Sequence, residues 1–576
     1  MLLSPPPREG ACRLFTVLAL LAIGCCSSSW AESPPSDAVA IRAAISAWPY
    51  SNVQTPQVQH WQTELLQVYQ ARSYVPLWLI GGGPTSQALA VMSEMRNAEE
   101  RGLRPQDYQL EELAHQLAGQ NNEEQSASED LLRFDVSLSL SLARFIADLH
   151  SGRVAPQKAH FDLEVSNPEF DVIAAELPLA TSTAINDTLN SYEPRFLHYQ
   201  LLKASLARYR QLASRAELTE LPDPGRHAIT PGASYIGAAA LRRLLIATGD
   251  LPSPAAQPDA EEMGLDPEMV VALKAFQRRH GLAQDGALGA QTYRALTVPF
   301  SDRVRQIELS LERWRWLPPK LHGPSIVVNI PEFRLFAFNA PMDLEQQMLT
   351  MDVIVGKSFP IMQTPVFAAD IRYLVLNPYW DVPTSIVRRE LLPRFRTDPD
   401  YISRNDYEIV NGQTDSAEVQ PVSPQSIAAL ARGDLRLRQR PGPTNPLGFV
   451  KFMLPNRYDV YLHGTSVPHL FANAQRAFSH GCIRVADPMA LINYVLQGQT
   501  GWGQDQIIQQ LRNPAPHRID LLTPLPVYIV YATAQATEDG RSLFFKDIYG
   551  YDVWLQALLD ERSRDLQPSI YRHSLN

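Results

Sequence analysis

The residues best suited to chemistry lie in two short segments near position 470. His463 and Gly464 form the first, and Ser479–Arg484 (Ser-His-Gly-Cys-Ile-Arg) forms the second, with 15 residues between His463 and Ser479. A thiol with a pKa of about 8.5 is a weak nucleophile at neutral pH unless a base or a cation activates it. His463, His480 and Arg484 are the nearby groups that could activate Cys482. The pattern therefore predicts a cysteine nucleophile assisted by a histidine.

Other atoms of this segment suit acyl chemistry. Gly481 leaves the backbone open to a substrate, and the amides of Gly481 and Cys482 could donate to a developing oxyanion. Arg484 lies two residues beyond Cys482, so in an extended chain both side chains lie on one face. There Arg484 could bind a substrate carboxylate or favour the thiolate.

The N-terminus has the pattern of a secretory signal peptide. Arg8 and Arg13 precede an apolar run over residues 14–24, and small residues lead to a cleavage position after Ala31. A run of this length is too short to cross a bilayer, which needs about 20 residues. We therefore predict that residues 1–31 direct export.

Export changes the cysteine count. Cys12, Cys25 and Cys26 fall in the predicted signal peptide, which leaves Cys482 as the single thiol of the mature chain. A lone exported thiol is either a buried apolar residue or a nucleophile. In the alternative interpretation the signal is of the lipoprotein type, and Cys25 or Cys26 carries a lipid anchor. Contact with a membrane would then be limited to the signal peptide or this anchor.

Composition limits the class of protein. The chain has 576 residues, of which 45% are hydrophobic and 19% are charged, so it can bury the cores of several domains. Its 61 acidic residues outnumber its 51 Lys and Arg residues, and the formal net charge is −10. This balance argues against nucleic acid as the main partner.

The hydrophobic pattern changes along the chain. Apolar residues recur at helical spacing from Trp61 to about Arg215, whereas short β-branched runs separated by Pro, Gly and Asn begin at Ile326. These strands stop near Asp381 and resume at Gly448. The interval between them has helix-like stretches and many prolines, so we predict an inserted lid.

A third motif lies between the helical and β-rich parts. Phe276-Gln277, Gly281-Leu282, Asp285-Gly286, Gly289 and Thr292 follow one another at fixed spacing. This run resembles the three-helix peptidoglycan-binding domain, with an insertion at Ser253–Met263. The plain alternative is a helical turn that only packs against its neighbours.

The segment around Cys482 resembles the L,D-transpeptidase catalytic domain of the YkuD type, whose motif has a histidine followed 14–17 residues later by Ser/Thr-His-Gly-Cys. Three flanking segments, Asn377–Trp380, Arg440–Gly448 and Lys451–Asn456, are similar to the large periplasmic, YcbB-like branch of that family. The predicted fold is multidomain α+β, with a β-rich, β-sandwich-like catalytic domain. The expected order is a signal peptide (1–31), a helical scaffold domain (32–225), a peptidoglycan-binding-like domain (226–300), a catalytic domain (323–535) with an inserted lid (381–447), and a C-terminal helical tail (536–576).

The resemblance implies a reaction. Cys482 would attack the carbonyl of the third residue of a peptidoglycan tetrapeptide stem, release D-alanine and form a thioester. An amine of a second stem would then attack to give a 3→3 cross-link. His463 would be the base and the Gly464 carbonyl would orient it. His480, Gly481 and Ser479 would shape the oxyanion side.

Further expectations follow from the same resemblance. Arg484, Tyr379 and Trp380 are candidates for substrate binding, although Tyr379 and Trp380 fit core packing equally well. The family uses no cofactor and no metal, acts in the periplasm in cell wall biogenesis and cell shape, and is a carbapenem target. Stem tetrapeptides are the expected partners, together with other wall synthases.

The sequence leaves three alternatives open. An L,D-carboxypeptidase would resolve the same acyl-enzyme with water. A zinc site could use His463, His469, His480 and Cys482, although the usual paired spacing of zinc ligands is absent. A non-catalytic wall-binding scaffold would not need Cys482. Sequence proximity alone would also favour His480 over His463 as the base, but proximity does not establish hydrogen-bond geometry.

Overall fold

The computed structural model describes residues 36–48, 55–118, 124–163, 170–252, 264–318, 323–340 and 342–566. The predicted signal peptide, with its three cysteines, and the Ser253–Met263 insertion lie outside the described residues. Within the described part, no helix is long and apolar enough to cross a membrane.

The first part of the chain is helical. It contains α1 (Ser36–Ala47), α2 (Pro56–Ala71), β1 (Leu79–Ile80), β2 (Gly83–Pro84), α3 (Ser86–Arg96), α4 (Leu110–Ala118), α5 (Glu124–Ser151), α6 (Glu176–Leu179), α7 (Ile185–Asn190) and α8 (Leu197–Ala213).

A small three-helix unit follows, with α9 (Ala238–Thr248), α10 (Pro267–Arg279) and α11 (Ala290–Leu296). Asp266 caps α10 by accepting from the Met269 amide at 2.8 Å. The buried Gln277 amide group donates to Ala287 O and Thr292 Oγ1, both at 3.0 Å, so it ties α10 to the loop and to α11. These bonds explain why glutamine and threonine stand at these positions of the motif.

A single helix, α12 (Phe300–Trp314), joins the helical part to the β-rich domain. Its buried Glu312 pairs with Arg153 Nε at 3.1 Å and accepts from the Val154 amide at 3.0 Å. Arg315, just beyond the helix, donates to Tyr199 OH at 3.0 Å. Buried charges of this kind are tolerated only when they are paired, so these contacts fix α12 against the first domain.

The β-rich domain begins with β3 (Ser325–Asn329), β4 (Arg334–Phe338), β5 (Leu349–Gly356) and β6 (Phe367–Leu376). The inserted lid contains β7 (Trp380–Asp381), α13 (Thr384–Ile386), α14 (Leu392–Thr397), α15 (Tyr401–Arg404), β8 (Tyr407–Asn411), β9 (Glu418–Gln420), α16 (Pro424–Arg432) and β10 (Arg436–Gln439). After the lid come β11 (Val450–Met453), β12 (Leu462–His463), β13 (Ala477–Ser479), β14 (Ile483–Val485), α17 (Pro488–Val495), α18 (Gln504–Leu511) and β15 (His517–Val530).

The main sheet has nine strands in the order β13-β5-β14-β12-β11-β6-β15-β3-β4, and β4 also pairs with β5. The sheet therefore closes on itself, with β12 and β14 as parallel neighbours. The lid strands form a separate four-stranded sheet in the order β7-β10-β8-β9 with its own apolar core. The predicted multidomain α+β organisation is confirmed.

The last described segment differs from the helical tail expected after residue 536. The hairpin of β16 (Ala534–Ala536) and β17 (Ser542–Phe544) precedes the helix α19 (Tyr551–Leu566). The hairpin contacts the three-helix unit through Arg279 Nη1, which donates to Ser542 O at 2.9 Å. In α19, Arg562 Nη2 pairs with Asp148 of α5 at 2.7 Å. The hairpin is thus the part of this segment that a helical tail did not include, whereas a helix is present at its end.

Candidate active site

Two adjacent parallel strands bring the predicted histidine and cysteine together. In the register of β12 and β14, Leu462 faces Ile483 and His463 faces Arg484. Side chains alternate along a strand, and paired residues point to the same face. His463, Cys482, Arg484 and also Tyr461 therefore share one face of the sheet.

His463 is held in one orientation. The residue is 4% exposed, and Nδ1–H donates to the Gly464 carbonyl oxygen at 2.7 Å. Burial, reinforced by the nearby Arg484 charge, lowers the pKa of His463 to about 3. The imidazole is thus neutral at physiological pH, and with its proton on Nδ1 it presents the Nε2 lone pair.

The backbone behind His463 is closely packed. Gly448 has φ +64°, and a Cβ at this position would lie 2.6 Å from the Thr465 amide nitrogen. Only glycine avoids this collision. The segment ending at Gly448 therefore lies directly against Gly464, whose carbonyl orients the ring.

Cys482 is a partly buried free thiol. Burial raises the pKa of the Cys482 thiol above its usual range, while hydrogen bonds from Tyr461 and the charge of Arg484 act in the opposite direction. Sγ donates to the Asp459 carbonyl at 3.7 Å. Burial also raises the pKa of Tyr461 well above its usual range, so the phenol stays neutral and can donate to sulfur.

Arg484 completes this face. Burial lowers the pKa of Arg484, whereas the neighbouring Cys482 acts to raise it. Its buried Nε has no hydrogen-bond partner among the described residues. A buried donor without a partner is costly, and an anionic substrate group would satisfy it.

The loop that presents Cys482 is held by Ser479. Ser479 Oγ donates to the Cys482 carbonyl at 2.5 Å and accepts from the Gly481 amide at 3.1 Å. The Gly481 amide is therefore engaged within the loop. The Cys482 amide donates to no described residue, so it can donate to a bound group.

The loop that contains Thr364 supports the loop that presents Cys482. Thr364 Oγ1 donates to the Gly481 carbonyl at 2.7 Å and accepts from the Gly356 amide at 2.9 Å. The Tyr549 hydroxyl donates to Gly356 O at 2.6 Å and accepts from the Thr364 amide at 3.1 Å. Sequence reasoning identified neither Thr364 nor Tyr549. Tyr461, in contrast, could have been predicted, because it precedes His463 by two residues in a predicted strand and therefore lies on the same face.

Replacing Gly356 with alanine tests this brace. A Cβ on Gly356 would lie 2.0 Å from Met362 O, so the two loops would have to separate. We expect Gly356→Ala to lower the free energy of unfolding by about 1–3 kcal/mol, as for overpacked sites, and to slow alkylation or acylation of Cys482. Urea denaturation measures the first effect. Gly83→Ala is the control because Gly83 has no atoms within 4 Å of its Cβ position; equal stability of the two variants would contradict the prediction.

His480 contacts the lid. Its Nε2 lies 2.7 Å from Glu390 Oε1, in the π-helical turn Val387–Leu391. Single π-helical turns are frequent at functional sites. The pairing of β12 and β14 thus puts His463 on the sheet face of the thiol, while His480 connects the loop before Cys482 to the lid.

Tyr379 and Trp380 lie at the base of the lid. The Arg438 guanidinium lies 4.1 Å from the centre of the Tyr379 ring, and Trp380 packs against the apolar lid core. Arg438 also pairs with Glu408 at 2.8 Å. Both aromatic residues thus have packing partners within the lid.

No group of three or more His, Cys, Asp and Glu side chains in the described part of the chain could hold a metal ion.

Comparisons with known proteins agree with this organisation. Residues 63–206 match a scaffold domain, residues 239–296 match the family described as "Putative peptidoglycan binding domain", and residues 323–509 match the L,D-transpeptidase catalytic domain. A Haemophilus influenzae protein named "Putative L,D-transpeptidase" is 31% identical over 276 residues, which are 47% of this chain and 54% of that protein. The chain thus spans about half the length of the curated relative it matches.

Among solved structures, an L,D-transpeptidase from Xylanimonas cellulosilytica is 15% identical and covers 54% of this chain and 100% of its own, with a TM-score of 0.16.

Proposed function

We propose that this chain, which carries an L,D-transpeptidase catalytic domain and a peptidoglycan-binding domain, forms 3→3 cross-links between peptidoglycan stems through an acyl-enzyme on Cys482. The observation that carries the proposal is the shared face of β12 and β14. There an oriented, neutral His463 and the Cys482 thiol lie on neighbouring strands.

In the first half-reaction, His463 Nε2 takes the thiol proton as sulfur bonds to the carbonyl carbon of the third stem residue. The Cys482 amide donates to the oxyanion of the tetrahedral intermediate. The imidazolium then protonates the amine of D-alanine, the C–N bond breaks, and a thioester remains.

In the second half-reaction, the side-chain amine of another stem attacks the thioester carbonyl. His463 takes a proton from this amine, the C–S bond breaks, and Cys482 leaves as the thiol. Because the imidazole and the thiol both start neutral, charge develops mainly in the transition states. Tyr461 and Arg484 stabilise the negative sulfur there, since both oppose the rise in the Cys482 pKa.

Arg484 is also the residue best placed to recognise the stem. Its unpartnered Nε supplies a buried donor, and a guanidinium matches a carboxylate in geometry and charge. We assign Tyr379 and Trp380 a supporting role, in which they hold the lid over the site.

The test is the product formed from tetrapeptide-containing muropeptides. We expect dimers joined between third residues, with one D-alanine released per cross-link. Tripeptide monomers without such dimers would show that water is the acceptor and would identify an L,D-carboxypeptidase. Unchanged muropeptides would refute both reactions and leave a wall-binding scaffold.

We expect the hydrogen bond between His480 and Glu390 to help keep the lid closed. A hydrogen bond contributes about 0.5–1.5 kcal/mol net, so Glu390→Gln should open the lid more often and speed alkylation of Cys482 by iodoacetamide about 2–10-fold. Glu418→Gln, at an exposed position of the same lid, is the control. Equal alkylation rates in the two variants would show that this bond does not hold the lid.

Peptidoglycan-acting domains point to an extracytoplasmic location. We propose the periplasm, reached through the predicted signal peptide, and a contribution to cell wall biogenesis and cell shape.

A further inference from the structure

A carboxylate near the thiol has no role in the proposed mechanism. The Asp459 carbonyl oxygen lies 3.7 Å from Cys482 Sγ, and Asp459 is exposed. Covalent geometry keeps an aspartate carboxylate within about 5 Å of its own carbonyl oxygen, so this carboxylate lies within about 9 Å of the sulfur. Asp459 therefore brings a negative charge close to the thiol.

The charge of Asp459 acts on the groups of the site. Burial raises the pKa of the Cys482 thiol, and the Asp459 charge adds to this rise. Burial also raises the pKa of Tyr461, and Asp459 acts in the same direction there. Asp459 thus opposes negative charge on sulfur, which a residue that assists thiolate formation would not do. The sign of its charge instead suits a positively charged group.

The Asp459 carboxylate is free to meet such a group. Asp381, whose charge also reaches Tyr461, pairs with Arg436 of the lid. Asp459, in contrast, makes no ion pair with any residue that the structure describes. The cation nearest to it in the sequence, Arg457, is engaged elsewhere, because its Nε pairs with Asp162 at 3.1 Å. A cationic group on a substrate could therefore take this place.

The side chain of Asn456 fixes the backbone around Asp459. Asn456 Oδ1 accepts from the amides of Tyr458 at 2.9 Å and Val460 at 3.3 Å, and Nδ2 donates to Val460 O at 2.7 Å. Asp459 has φ +54° in this turn. Aspartate and asparagine both adopt this left-handed conformation more readily than most residues with a side chain. An asparagine at position 459 should therefore keep the turn and remove only the charge.

The second half-reaction brings a positive nitrogen to this place. The side-chain amine of the second stem is an ammonium at neutral pH, and its nitrogen becomes positive again as it bonds to the thioester carbon. The nitrogen must come within about 3–3.5 Å of the carbon that is bonded to sulfur. Charges in a partly buried site are screened less than in bulk water, so the Asp459 carboxylate would attract this nitrogen. Water, the competing acceptor, carries no charge and gains no such attraction.

We propose that Asp459 selects an amine over water as the acceptor of the acyl group on Cys482, by attracting the ammonium and by stabilising positive charge on its nitrogen during attack. The ammonium first loses a proton to solvent. The nitrogen then bonds to the carbonyl carbon, His463 takes a second proton from it, and the C–S bond breaks as sulfur receives that proton. The inference rests on the proposed function, since it assigns the residue that favours cross-linking over hydrolysis of the same acyl-enzyme.

The test compares Asp459→Asn with the wild type, with tetrapeptide-containing muropeptides as donor and acceptor. We expect the ratio of cross-linked dimers to tripeptide monomers to fall about 3–10-fold, the effect of losing one partly exposed charge pair. Alkylation of Cys482 by iodoacetamide should not slow, because the thiol loses a charge that opposes thiolate formation. Asp505→Asn removes one exposed charge from α18 and is the control, with the wild-type ratio expected.

A neutral nucleophile separates attraction of charge from a change in shape. Hydroxylamine is uncharged at neutral pH and attacks thioesters, so it should release the acyl group from Asp459→Asn as fast as from the wild type. An equal loss towards hydroxylamine and the stem amine would show general damage to the site and overturn the inference, as would an unchanged ratio of dimers to tripeptides. Failure of the wild type to form an acyl-enzyme on Cys482 would instead refute the proposed function.

Discussion

A Cys482→Ala variant is expected to form no acyl-enzyme and to lose at least about 10⁴-fold in reaction rate. In the proposed mechanism the sulfur is the atom that bonds to the substrate carbonyl, and removal of one member of a nucleophile–base unit costs nearly the whole covalent pathway. The fold should survive, because the only hydrogen bond donated by Sγ in the described structure is the long contact to Asp459.

Intact-mass spectrometry after exposure to a carbapenem checks this expectation. The strained β-lactam carbonyl should acylate wild-type Cys482 once, adding the full mass of the drug because ring opening releases no fragment. An adduct on the alanine variant would place the nucleophile elsewhere. An unmodified wild-type protein would count against the cysteine mechanism.

A His463→Gln variant is expected to slow acylation of Cys482 by about 10²–10⁴-fold at neutral pH, the usual contribution of a general base. Glutamine keeps a donor for the Gly464 carbonyl but cannot accept the thiol proton as imidazole does. The exposed His469→Gln variant, in the loop between the two motif segments, is the control and should react at the wild-type rate.

The pH dependence separates this role from a structural one. His463 accepts a proton only while neutral, and its pKa lies near 3, so the wild-type rate should not fall as the pH drops through 6.5. Without the base, reaction requires thiolate, whose pKa is raised by burial. The variant's rate should therefore climb with pH until the solution is alkaline. A wild-type acid limb near pH 6.5 would contradict the neutral, buried histidine.

Burial of His463 also affects stability. Its folded-state pKa lies below the ordinary value, so between pH 6.5 and 3 the unfolded chain binds a proton that the folded chain does not. The free energy of unfolding should therefore fall as the pH drops from 6.5 towards 3.

The sequence predicted the local parts of the site and missed the distant ones. The spacing of His463 and Cys482 and the alternation of a strand were enough to place these two residues on one face of the sheet. The same alternation would have indicated Tyr461. Thr364 and Tyr549 have no such signal, since their positions beside Gly481 and Gly356 depend on how remote loops meet in three dimensions.

The ion pairs of the lid could not be predicted from the sequence either. Arg436, Arg438 and Arg440 alternate in the sequence as a basic strand would, yet within the lid they pair with Asp381, Glu408 and Asp406, respectively. Partners more than 25 residues away decide whether a charge faces solvent, substrate or another side chain. The hydrophobic periodicity of a sequence predicts its fold class, but it does not predict which charged residues pair across a sheet.

The brace formed by Tyr549 has a consequence for the order of events during synthesis. Residues that fix the Gly356 and Thr364 loops leave the ribosome well after Cys482, and α19 must also return to α5 through Arg562 and Asp148. A nascent chain that already contains Cys482 therefore lacks the contacts that shape its surroundings. We therefore expect the proposed reactivity of the thiol to appear only after the segment around Tyr549 has docked, which separates the making of the polypeptide from the start of its chemistry.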